Sequence, residues 1–151
     1  MSFDLAVLSG ANALTADQAR DAYHHLASGA DWSEVLQEDA NIARFAAALS
    51  AQWPDIGEVD VSPAHVLLGI GWLAPDAAIE FCEATASELG LNLFDPQDGT
   101  LYAPGREPQK ATPRAQPTLI CEHCGKLIEP GTPHAESPRL LHMECLFQEL
   151  P

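Results

Sequence analysis

Val66-Leu67-Leu68-Gly69-Ile70-Gly71-Trp72 carries its bulky side chains, Val66, Leu68, Ile70 and Trp72, at every second position. Successive side chains of an extended strand point to opposite faces, so this period reads as a β-strand with one heavy face toward a core. The intervening Leu67, Gly69 and Gly71 leave the other face small, which predicts a helix lying close against it.

Upstream, Phe3-Asp-Leu-Ala-Val-Leu8 has the length and alternation of a strand closed by Ser9-Gly10, and Val59 to Val61 reads as a short second one. Between them, Thr15-x-x-Gln18 is a capping box ahead of Ala19, Ala22, Tyr23 and Leu26 at helical spacing, with Gly29 as the stop. A second helix over about 41–52 has Ile42, Phe45, Leu49 and Trp53 as its stripe and ends at Pro54. Downstream, Pro75 suits a first helical position, and Ile79, Cys82, Ala86 and Leu89 form the stripe of a third helix that Gly90 ends. Leu91 to Phe94 is then a strand, Asp95-Pro-Gln-Asp-Gly99 a turn, and Thr100-Leu-Tyr102 a brief hairpin partner. This order predicts an α+β sandwich of ferredoxin-like type, a mainly antiparallel sheet with helices on one face.

The 151 residues carry a net charge of −15, unevenly distributed. Residues 1–105 hold sixteen acidic and two basic side chains, a net −14, and 106–151 hold six and five, a net −1. The acidic part is rich in Ala, Leu, Val and Ile, unlike a disordered acidic tail. A field of that sign repels phosphate backbones, which argues against nucleic acid; it suits a basic protein partner, the alternative being that the acidic faces simply keep the protein in solution. No stretch has the length of a membrane span, and Met1 to Leu8 lacks a basic leader region and carries Asp4, so a cytoplasmic protein is expected. Segment 103–117 contains four prolines and three basic residues and reads as a semi-extended linker. The expected organisation is therefore an acidic domain at 1–102, the linker, and a small module at 118–151.

That module carries Cys121-x-x-Cys124 and His142-x-x-Cys145, separated by the seventeen residues 125–141. Two local pairs joined by a loop supply the four tetrahedral donors that zinc requires, and Gly125 permits the tight turn of a knuckle behind the second sulfur. Three thiolates and an imidazole close the coordination shell, so one structural zinc per chain is expected on Cys121, Cys124, His142 and Cys145. His123, inside the knuckle, and His134, in the loop, are the competing donors. Cys82 stands apart and reads as a small core residue.

The spacing C-x2-C-x17-H-x2-C resembles the first half of a LIM domain and, more loosely, other treble-clef fingers, over about 118–150. The resemblance implies a hairpin entered by Leu127-Ile128, a turn over Glu129 to Pro133, and a terminal helix over 142–150. A LIM domain continues into a second finger, which the sequence to Pro151 does not contain, so its protein-binding role carries over only weakly.

Phe3-Asp-Leu-Ala-Val7, Trp53-Pro-Asp55 and Leu93-Phe-Asp-Pro-Gln97 are similar to segments of small acidic bacterial proteins, among them immunity proteins of polymorphic toxin systems. That resemblance implies a domain that blocks a toxin's basic cleft with acidic side chains. Trp32, between Asp31 and Ser33 and outside the helical stripes, is the candidate aromatic anchor, within the acidic surround of Asp31, Glu34, Glu38 and Asp39. Its alternative use is to plug the sheet beneath a loop.

Signals for catalysis are sparse. His24 and His25 are adjacent on a helix and face directions about 100° apart, so they do not chelate one ion unaided. His65, Asp95 and Asp98 are the candidate groups of a hydrolase or transferase, although Asp95 to Gly99 has ordinary turn chemistry. The reading that absorbs most of the sequence is a zinc-containing, non-enzymatic protein-binding protein. The alternatives are a regulatory or stress-response protein assembled through its finger and, behind that, the enzyme.

Overall fold

The computed structural model describes residues 2–71, 76–114, 119–120, 124, 126–128, 134–135 and 141–142. The chain divides into two compact units, Met1–Thr112 and Pro113–Pro151.

The first unit is α+β. Its strands β1 (Ser2–Leu8), β2 (Gly57–Val61), β3 (His65–Gly71), β4 (Asn92–Asp95), β5 (Thr100–Tyr102) and β6 (Gln109–Lys110) form one open sheet in the order β2-β3-β1-β4-β5-β6. Every pairing is antiparallel. Helices α1 (Ala16–Ala27) and α2 (Ala40–Gln52) connect β1 to β2, and α3 (Asp76–Glu88) connects β3 to β4. The decisive stretch is the inner strand β3, paired with β1 from Phe3↔Ile70 to Val7↔Val66 and with β2 from Gly57↔Ile70 to Val61↔Val66. Trp72 and Pro75 lie outside the described residues.

The helices cover both faces of the sheet rather than the expected one. Leu5, Val7, Val66, Leu68 and Ile70 share a core with Ile42, Phe45 and Leu49 of α2 and Ala78, Cys82 and Ala86 of α3. The alternate residues Ala6 and Leu8 join Phe94 and Leu101 in a second core with Ala19, Ala22 and Leu26 of α1. β1 is apolar at every position from Leu5 to Leu8, and a strand buried on both faces requires cover on both. Large side chains such as Phe45, wholly buried, carry much of the stability, since truncating a buried phenylalanine to alanine costs about 3–5 kcal/mol.

The glycines of β3 also have another meaning than the one expected. A Cβ on Gly71 would meet nothing within 4 Å, and one on Gly69 would come no closer than 3.6 Å to Glu58 Cβ. No helix presses on them. The gap over Gly69 is the floor of an open groove.

Local signals set the helix ends. Thr15 Oγ1 accepts from Gln18 N–H at 3.2 Å while Gln18 Oε1 accepts from Thr15 N–H at 2.9 Å, the reciprocal capping box of α1. Gly29 follows that helix with φ 79°, a conformation glycine adopts without steric cost, and its N–H donates to Leu26 O. Asp39 Oδ1 caps α2 through Asn41 N–H at 2.9 Å, and its Oδ2 accepts from Gly10 N–H at 3.0 Å, tying the end of β1 to the start of α2.

Part of the segment read as linker belongs to this unit. Gln109–Lys110 pairs with β5, Thr100↔Lys110 and Leu101↔Gln109, as the last strand of the sheet. The compact unit runs to Thr112.

In the second unit, β7 (Leu119–Ile120) pairs with β8 (Leu127–Ile128), Leu119↔Ile128 and Ile120↔Leu127. β9 (His134–Ala135) pairs with β10 (Leu141–His142), Leu141↔Ala135 and His142↔His134. His142 is the last residue of β10, and the rest of the helix expected over 142–150 lies outside the described residues.

Candidate functional site

Of the four expected zinc ligands, Cys121 and Cys145 lie outside the described residues. Cys124 is exposed in the loop of the β7–β8 hairpin, and His142 is in β10, paired across the strands with His134. β7 and β8 flank the segment that carries Cys121-x-x-Cys124, and three thiolates with one imidazole are donors that suit zinc. His123 also lies outside the described residues. Among the described residues no group of three His, Cys, Asp or Glu side chains is placed to hold a metal.

In the first unit, the carboxylates converge on the α1 face of the sheet beside β2. Asp4, Gly69 and Glu58 are in register across β1, β3 and β2, and Asp60 pairs with Leu67 two residues along. With no side chain on Gly69, Asp4 and Glu58 flank a groove of about 410 Å³ that Tyr23, Asp60 and Leu67 also line. The pKa of the Tyr23 phenol is raised by burial first, then by the negative charge of Asp4 and by the hydrogen bond it donates to Asp4. The groove is a negative trough with one aromatic wall, built on a strand whose five residues are all exposed.

Of the acidic surround expected near Trp32, Asp31 and Asp39 also accept bonds from backbone amides, and Asp31, Glu34 and Glu38 are exposed. Trp32, on a single 3₁₀ turn Trp32–Glu34, is half-buried against the α1 core, which is its plugging role. Asp31 Oδ1 caps that turn through Ser33 N–H at 2.9 Å, and these bonds hold its pKa below the usual value. Glu34 lies 3.3 Å from His25, and Asp39 makes the two backbone bonds described above. The exposed large apolar side chains of this unit are instead Val59 and Val61, 43% and 50% exposed on β2, among the described residues. A strand residue with no helical stripe to mark it is hard to single out from sequence; the signal was the alternation Glu58-Val59-Asp60-Val61.

The candidate catalytic groups do not assemble. Asp95 and Asp98 cap the β4–β5 turn, accepting from Gln97 N–H at 2.8 Å and Thr100 N–H at 2.9 Å. Burial raises the Asp95 pKa, whereas the hydrogen bonds from Lys110 and Thr100 lower that of Asp98. His65 is across the sheet, paired with Leu8. Its Nδ1 is 2.7 Å from Ser62 Oγ and its Nε2 is 3.7 Å from Asp60 Oδ2, an order of groups that invites comparison with a nucleophilic triad. Ser62 Oγ, however, accepts from Ala64 N–H at 3.1 Å and His65 N–H at 3.0 Å, so its lone pairs are spent on the β2–β3 turn. His65 itself is only 5% exposed. The arrangement locks a hairpin. His24 and His25 remain apart in role: His24 packs edge-on to Tyr23, and His25 Nε2 is 3.0 Å from Asp31 O.

Among the described residues, no helix is long and apolar enough to cross a membrane. Compared with models of known families, with curated proteins and with solved structures, the chain matches none.

Proposed function

We propose that this is a non-enzymatic, zinc-containing protein that binds a basic protein partner in the cytoplasm, in the manner of an immunity protein that neutralises a toxin. The observation that carries the reading is the groove beside β2, where Asp4, Glu58 and Asp60 line one open face of a unit with a net charge of −14 over residues 1–105. Complementary charge speeds encounter with a basic surface and disfavours acidic competitors. The strand order β2-β3-β1-β4, with its two helical crossovers, supports reading β1 to β4 as a ferredoxin-like core that β5, β6 and one additional helix extend.

In the second unit, Cys121, Cys124, His142 and Cys145 would hold one zinc, which would supply the folding energy that so short a segment lacks from apolar burial. The donor chemistry and the β7–β8 hairpin around the first pair support that assignment.

The test is capture of partners from a bacterial lysate at low and high salt, followed by identification of what is retained. Basic proteins released by salt support the reading. Retention that persists at high salt and is lost on Cys124→Ser would instead favour the regulatory alternative, in which the finger mediates assembly.

A further inference from the structure

β2 ends the sheet, and its outer edge has no strand beside it among the described residues. The hydrogen bond from Ser62 N–H to His65 O at 2.9 Å fixes which backbone groups that edge offers. Antiparallel pairs alternate between bonded and non-bonded, so Asp60/Leu67 and Glu58/Gly69 exchange bonds within the sheet, and the amide groups of Val59 and Val61 turn outward. An edge of this kind is a template for an added strand.

Side chains decide what kind of strand. On one face the edge presents Val59 and Val61, both exposed; on the other it presents Glu58 and Asp60 with the groove behind them. A second copy of this chain is a poor occupant, because β2 against β2 would place like carboxylates opposite each other. We propose that the outer edge of β2 accepts an extended segment of another protein, alternately basic and apolar, as a seventh strand, with a lysine or arginine seated over Gly69. That side chain, entering beside Glu58, reaches across the gap left by the glycine toward Asp4, with the Tyr23 ring as a wall. The apolar residues of the segment cover Val59 and Val61. This inference rests on the protein-binding reading and names its surface.

The probe is a blocked synthetic peptide alternating lysine with valine, titrated into the full-length ¹⁵N-labelled protein. The controls are a peptide of the same composition with the two residue types in separate blocks and a peptide alternating glutamate with valine. The expected result is that amide shifts concentrate on β2 and around Gly69, with binding about tenfold tighter than to the block peptide. Val59→Pro removes an outward N–H without breaking the β2–β3 bonds and should weaken binding about tenfold, the order of one lost backbone hydrogen bond. Gly69→Val should fill the groove and remove the preference for lysine while leaving the strand edge intact. The double variant Glu58→Lys, Asp60→Lys should prefer the glutamate peptide, provided the β1 and β4 amide signals are unchanged.

Shifts confined to surfaces other than β2 would overturn the strand-addition inference and leave the acidic binding reading standing. Binding to neither lysine peptide would overturn it as well, with the lysate capture still deciding the broader reading. Self-association abolished by Val59→Pro would give the edge to a second copy and overturn the proposed occupant.

Discussion

Thr112 donates twice to Asp17, from its N–H to Oδ1 at 2.8 Å and from Oγ1 to Oδ2 at 3.0 Å, fastening the end of the first unit to the first turn of α1. Arg20 adds a bond to Thr112 O and an ion pair to Asp17 at 3.1 Å. A proline-rich stretch that composition alone assigns to a linker is therefore held to the sheet by β6 and to a helix by these bonds. A chain ending at Thr112 should melt cooperatively. One ending at Tyr102 should melt at lower temperature, because β5 becomes an uncovered edge beside the buried Leu101. Each kcal/mol lost lowers the midpoint by roughly 4–8 °C in a domain of this size. Calorimetry of the two chains and of Asp17→Ala, expected to lose about 1 kcal/mol, checks the order; equal midpoints would show that residues 103–112 contribute nothing.

His65 should make stability fall with acid. Burial lowers its pKa from the ordinary 6.5, with Asp60 opposing the shift, so the folded state binds its proton less readily than the unfolded chain. The unfolded state then holds more protons below pH 6.5, and stability, complete above that value, declines as the pH drops through the folded value. The groups facing the ring are Ser62 at Nδ1 and Asp60 at Nε2. Urea unfolding of wild type and His65→Asn between neutral and mildly acid pH should show a steeper slope for wild type, and parallel curves would refute the assignment.

Adding a Cβ where there is no room for it should be costly, and adding one where there is room should not. A Cβ on Gly10 would lie 1.9 Å from Gly90 O, a backbone atom that moves only if the chain moves. Gly10→Ala should cost about 1–3 kcal/mol as an overpacking change. Gly69→Ala meets only ordinary contacts and should stay within about 0.5 kcal/mol of wild type. Chemical denaturation of the pair measures the contrast.

Thiol labelling should separate Cys82 from the zinc ligands. Cys82 is wholly buried on α3 and its pKa is pushed up to about 12, so it should resist alkylation until the unit unfolds. Cys82→Ser should cost about 1–3 kcal/mol by placing a hydroxyl among apolar neighbours. With metal bound, Cys121, Cys124 and Cys145 should be protected; a chelator should release one zinc per chain and expose three thiols. Cys124→Ser should prevent zinc retention, since structural zinc contributes on the order of 10 kcal/mol to its module. Protein prepared without chelator that holds no zinc, or a Cys121–Cys124 disulfide, would end the zinc assignment.

The element order was legible in the sequence because each signal is local. The Thr15/Gln18 capping box, the Ile42-Phe45-Leu49 stripe and the alternation from Val66 to Ile70 involve residues close in the chain, and hydrophobic period alone assigns their type. The turn role of Asp95 and Asp98 was legible for the same reason. Tertiary structure decided the rest. Which face receives α1 depends on β1 being buried on both sides, and β6 is a strand only because β5 offers it an edge, with no apolar pattern of its own. The groove exists because Asp4, distant in sequence, comes into register with Gly69 and Glu58, which face each other across the β2–β3 hairpin. Composition showed that the chain is acidic; the pairing of β1 with β3 decided where that charge gathers, because it joins strands distant in the chain and no pattern within either strand names its partner, whereas the β2–β3 register follows from the local Ser62–His65 turn.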